Sequence, residues 1–111
     1  MIQRPVFVYF MISDEPPKVK IGVSFSPEGR LKDLQVGSPS RLALYGKISF
    51  DSEDSAYRRE KELHELFGHH HSHLEWFEFN TPTKAMIDAI LGGCPKWGAR
   101  MSKRFLGKIK N

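Results

Sequence analysis

Val6 to Ile12 form an unbroken apolar run, and Val19, Ile21 and Val23 then alternate with Lys18, Lys20 and Gly22 in KVKIGV. A short continuous apolar run fits a buried strand, and a two-residue alternation fits a strand with one polar face. The intervening SDEPPK carries the acids and prolines of a turn, so the two segments are expected to pair as a hairpin. With the turn centred between Asp14 and Glu15, Tyr9 falls directly opposite Lys20, and opposed residues share a face.

Ser26 followed by Pro27 is a helix start, with Leu31 and Leu34 at helical spacing until Gly37 and Pro39 stop the pattern. RLALYGKISF reads as a third strand. DSEDSAYRREKELHELF gives the strongest helical pattern, with acids in its first turn where the helix dipole favours them. Ala56, Leu63 and Phe67 mark its buried stripe, and Glu60 lies on that same stripe with His64 one turn on. GHHHSH breaks this helix, LEWFEF reads as a short aromatic strand whose Trp76, Phe77 and Phe79 are expected in the core, and TPTKAMIDAILGG is a capped amphipathic helix closed by two glycines. The fold class is α+β, with a small, mostly antiparallel central sheet flanked by helices in the order β-β-α-β-α-β-α.

With 111 residues, 40% of them hydrophobic, the chain suits one modest core. Its one cysteine, Cys94, excludes an intramolecular disulfide framework and fits a reducing, cytoplasmic setting. The Val6 to Ile12 run is too short to span a bilayer. Charge is uneven: of a net +4, residues 94–111 hold Lys96, Arg100, Lys103, Arg104, Lys108 and Lys110 with no acid, so the remainder is net acidic. Residues 1–93 therefore read as the folded domain and 94–111 as a basic tail suited to a polyanion. Lys96, Trp97, Arg100, Lys103, Arg104 and Lys108 are its expected nucleic-acid contacts. The competing reading is an interaction module whose tail meets an acidic protein or membrane surface through Met101, Phe105 and Ile109.

Tyr9, Lys20, Arg30, Glu60, His64 and Glu75 are polar groups that the pattern sets beside apolar surfaces, and they come from different elements. Each alone has an ordinary structural use, but groups converging from several elements are also how a site is assembled. His69, His70, His71 and His73 suggest a transition metal. Consecutive loop histidines seldom converge tetrahedrally, however, and no cysteine is near, so an exposed or DNA-facing loop is expected there.

The ordered set FVYF, VKIG, a following arginine, an A-x-x-x-E-x-x-x-H helix and EWF, spanning residues 6–79, resembles the GIY-YIG nuclease superfamily in its compact phage-T5-type branch, where KIG replaces YIG. Tyr9 matches the tyrosine of the first signature, Ile21 and Gly22 the end of the second, Arg30 the helix arginine and Glu60 the metal-binding carboxylate. Phe7 and Val8 depart from the Gly-Ile of the first signature, and Glu75 and Trp76 occupy the region of the superfamily's asparagine. The resemblance implies a metal-dependent endonuclease hydrolysing DNA, with RNA left open, acting as a monomer or weak homodimer without a membrane. Tyr9 would be the general base, its pKa lowered by Lys20; Arg30 would clamp phosphate, Glu60 would bind one Mg²⁺ or Mn²⁺, and His64 would orient water or simply pack. The alternative is a nucleic-acid-binding module of the same fold without cleavage.

Overall fold

The computed structural model describes residues 4–92. Their elements are β1 (Val6–Asp14), β2 (Pro17–Ser24), α1 (Pro27–Val36), β3 (Leu42–Phe50), α2 (Glu53–Leu66), β4 (His71–His73), β5 (Trp76–Glu78) and α3 (Thr81–Ile90). The strands form one sheet in the order β3-β1-β2-β5-β4, every pairing antiparallel. The α+β class and the antiparallel sheet thus agree with the sequence pattern.

Two features differ from the sequence expectation. The His-rich stretch is a single 3-10 turn, Gly68–His70, followed by the edge strand β4, so the order is β-β-α-β-α-β-β-α. A three-residue strand has too little periodicity to be seen in sequence; it exists because β5 offers it a free edge. The hairpin turn is centred between Glu15 and Pro16, one residue later than expected, and Tyr9 pairs with Gly22 while Lys20 pairs with Met11. Asp14 is drawn into β1 by its backbone amide bonding to the Arg41 carbonyl and its carboxylate accepting from the Arg41 amide. Moving the turn by one residue moves the pairing by two, so Tyr9 and Lys20 remain on one face as diagonal neighbours.

The core occupies the opposite face. Val8, Phe10 and Ile12 of β1 and Val19 and Ile21 of β2 meet Ala56 and Leu63 of α2, Phe67 at its C-cap, Ile87 of α3, and Phe77 and Phe79, all buried. Helix α2 starts at Ser52, whose Oγ accepts from the Ser55 amide. In α3, Asn80 is the N-cap and closes a capping box with Thr83. Tyr45 is buried under α3 and donates to Asp88 at 2.6 Å.

Helix α1 covers the Tyr9 face more lightly, with only Pro27 fully buried. Polar links hold it instead: Glu28 accepts from Lys47 of β3 at 2.6 Å, and the Gln35 amide oxygen accepts from the Leu42 amide at 2.8 Å. A helix held this way at its two ends can leave an arginine of its middle at the surface, which is where Arg30 lies.

Candidate active site

β5 pairs with β2 only through Lys18, Val19 and Lys20. Beyond Lys20 the outer edge of β2 is not laddered by a strand; the Ile21 amide bonds to the Glu75 carbonyl and the Ile21 carbonyl accepts from His64 Nε2 at 2.9 Å. Side chains from both faces of the sheet meet around this open edge. Tyr9, Lys20, Val23, Arg30, Tyr57, Glu60, His64 and Glu75 line one open pocket of about 450 Å³. The five residues singled out from sequence as catalytic candidates are therefore brought together.

Tyr9 is buried, with its hydroxyl end folded over Gly22. A Cβ at position 22 would lie 2.5 Å from the Tyr9 hydroxyl oxygen and 2.6 Å from Cζ, closer than atoms can approach, so the tyrosine can lie there only over a glycine. Burial raises the Tyr9 pKa; a hydrogen bond and the charge of Arg30 oppose the rise, and Glu75 and Glu60 add to it. This corrects the expectation that Lys20 is the cation that lowers the tyrosine's pKa. The cation in contact is Arg30, and desolvation outweighs it.

Lys20 is turned elsewhere. Its Nζ lies 3.4 Å from Glu75 Oε2 and 5.7 Å from the centre of the Trp76 ring, and the residue is 7% exposed. Trp76 itself is half-buried, in contrast to the core position expected for it, because β5 turns this ring to the Lys20 side and Phe77 to the core.

Glu60 stands on the α2 stripe as its spacing requires, its side chain 19% exposed. Burial raises its pKa; His64 and Lys20 counteract this, while Glu75 reinforces it. His64 packs edge-on against Phe77, ring centres 5.2 Å apart. Because a carbonyl oxygen only accepts, Nε2 carries the proton toward Ile21, and the ring is fixed in position.

Glu60, His64 and Glu75 each offer a ligand atom within 4.8 Å of one another. Two carboxylates near each other in a partly desolvated pocket suit a hard divalent cation, which would offset both the burial that chiefly raises the Glu60 pKa and the smaller contribution of Glu75. The carboxylates of Glu60 and Glu75 are the hard oxygen donors of this group that fit Mg²⁺ or Mn²⁺. Glu75 as a second carboxylate was not assigned from sequence: a lone acid in an aromatic strand has no periodic signal, and only the position of β5 beside β2 brings it to Glu60. Tyr57, one turn before Glu60, was missed in the same way.

His71 Nε2 donates to the Leu74 carbonyl at 2.7 Å, and the ring packs edge-on against Phe77, so it is tied to β5. The expected contacts Lys96, Trp97, Arg100, Lys103, Arg104 and Lys108 lie outside the described residues. No helix among the described residues is long and apolar enough to cross a membrane.

No curated protein and no solved structure matches the chain. The T5orf172 domain matches residues 6–94, from the first strand of the sheet past the last described helix and across every residue of the pocket. The chain is a member of the T5orf172 domain family.

Proposed function

We propose that the protein is a metal-dependent endonuclease of GIY-YIG type that hydrolyses DNA phosphodiester bonds. The observation that carries this reading is the meeting of Tyr9, Lys20, Arg30 and Glu60 in one open pocket, with Glu75 near Glu60. A phosphodiester needs cations on its non-bridging oxygens, a base for the attacking water and relief of charge on the departing alkoxide.

Arg30, at the surface and near enough to Tyr9 to oppose the rise of its pKa, offers a planar fork of donors to a phosphate that enters the pocket. Lys20 adds a second positive charge from the sheet. Tyr9 takes the proton of a water poised against phosphorus, so that the P–O bond to this water forms as the bond to the leaving oxygen breaks. Glu60, with Glu75, would hold a divalent cation, which when bound supplies charge stabilisation to the leaving oxygen. His64 holds the Glu60 side of the pocket in place by anchoring α2 to the β2 backbone.

Supercoiled plasmid incubated with the protein and Mg²⁺ or Mn²⁺ is expected to relax to nicked circles, with cleavage lost in EDTA and in Glu60→Gln. A second reading, a nucleic-acid-binding module without cleavage, is favoured by one observation: burial keeps the Tyr9 hydroxyl protonated at neutral pH, which weakens it as a base. Salt-dependent DNA binding without cleavage at any pH or with either metal would establish that reading over the first.

A further inference from the structure

Next to the candidate active site, on the same face of the sheet, a second cavity of about 220 Å³ is lined by Ser13, Lys18, Ser38, Leu42, Ser72 and Trp76, among others. Lys20 and Trp76 join the two cavities: they are paired across β2 and β5, Lys20 lines the first, and Trp76 forms a wall of the second.

The chemistry of the second cavity is unlike that of the first. Its cation, Lys18, is already neutralised by Glu78 and donates to Ser72 Oγ at 2.5 Å. The hydroxyls of Ser13 and Ser38 donate to the backbone carbonyls of Pro16 and Ser40, and Ser38 also accepts from the Ser40 amide, so they line the cavity as neutral polar groups. A paired lysine gives no net attraction for phosphate. An aromatic wall with neutral hydroxyls suits instead a flat, uncharged, hydrogen-bonding group.

Resting on the nuclease reading, we propose that this cavity receives an unpaired nucleobase next to the scissile phosphate, stacked on Trp76 while the phosphate lies at Arg30 and Lys20. The preferred substrate is then a strand with an unstacked nucleotide at the cut, as in a single-stranded, flapped or gapped DNA, and not a fully paired duplex. A base inside a duplex would first have to leave its stack to reach Trp76.

The test is binding in EDTA, where no cleavage occurs, read for every protein by the fluorescence anisotropy of a dye-labelled strand and, in a Trp97→Phe background that keeps Trp76, also by quenching of that tryptophan. The probes are a short single-stranded DNA, the same strand with one abasic site stepped along it, and the matched duplex. Quenching by the single strand is expected. One abasic position and Trp76→Leu should each weaken binding roughly 5- to 150-fold, the range for loss of one stacked base, and the two losses should not add. Trp76→Phe, which keeps a ring, should retain most of the affinity and checks that β5 remains folded.

Equal affinity for intact and abasic strands, or quenching as strong with the duplex, overturns the proposal. The plasmid assay is independent of these readings. Cleavage with no abasic effect removes this subsite alone, whereas an abasic effect without cleavage removes the nuclease reading and leaves a base-binding cavity.

Discussion

The ring of Tyr9 lies across Gly22, its cross-strand partner, so closely that a single added carbon at position 22 would sit 2.5 Å from the tyrosine hydroxyl. Gly22→Ala therefore has to displace either the hydroxyl or the strand. Because the ring end is the more movable of the two, the fold should survive and Tyr9 should shift away from Arg30. A misplacement of about 1 Å at a reacting group costs on the order of 100-fold in rate. Cleavage should fall by that order while circular dichroism is unchanged, and a fully active Gly22→Ala would show that Tyr9 does not act from this position.

Tyr9→Phe should slow cleavage by roughly 10²- to 10⁴-fold with DNA affinity preserved, since a base acts on the chemical step. The hydroxyl's pKa is raised from 10.0 by burial, so the reactive tyrosinate is scarce at neutral pH and its fraction grows about tenfold per pH unit below that pKa. Single-turnover rates should climb accordingly into the alkaline range. Arg30→Met removes the group that opposes the rise and should push the profile to still higher pH. Lys20→Met should leave its position unchanged. A shift in the lysine variant alone would return that role to Lys20.

Glu60 has its folded pKa raised above 4.5, chiefly by burial. Between the unfolded and folded values the native state binds more protons, so metal-free stability should fall as pH rises through the window that begins near 4.5 and extends upward. Glu60→Gln should flatten this dependence and melt at a higher temperature than wild type at neutral pH in EDTA. Added Mg²⁺ or Mn²⁺ should stabilise the wild type by mass action and leave the variant unmoved. Thermal scans with and without metal read both effects; an equal metal-induced shift in the two proteins would remove Glu60 as a ligand.

Away from the pocket, Tyr45 donates to Asp88 at 2.6 Å, and Asp88 also accepts from Lys84 at 2.6 Å. Tyr45→Phe should cost about 1.5 kcal/mol, the lower end for a hydrogen bond to a charged group, and lower Tm at roughly 4–8 °C per kcal/mol for a domain of this size, with cleavage intact. Burial and Asp88 raise the Tyr45 pKa above its usual 10.0. The stability held by this hydroxyl is thus complete below about pH 10 and is lost as pH rises beyond it. The phenylalanine variant should lack that alkaline decline, and a Tm equal to wild type at pH 8 would show the bond to be energetically idle.

The order of local signals along the chain determined most of the elements. The Val6 to Ile12 run, the Lys18 to Val23 alternation, the cap at Ser26 and the stripe through Ala56, Glu60, Leu63 and Phe67 each depend on neighbours a few residues away. Periodicity of 2 or 3.6 therefore reports them directly. For the same reason Glu60 was recognisable as a carboxylate turned toward the core: its position on one helix is a local fact.

The tertiary structure decided what depends on partners distant in sequence. The register of β1 on β2 was set by the exact turn and by Arg41 holding Asp14, and it placed Gly22, not Lys20, under Tyr9. Strand β4 formed only because β5 was there to pair with it. Arg30 became the tyrosine's cation, Lys20 the partner of Glu75, and Glu75 the second carboxylate beside Glu60, because α1 and β5 lie on either side of the open edge of β2. The charges a group feels are those that packing brings within a few ångströms, and burial then sets how strongly they act; neither quantity is encoded in the spacing of residues along one element.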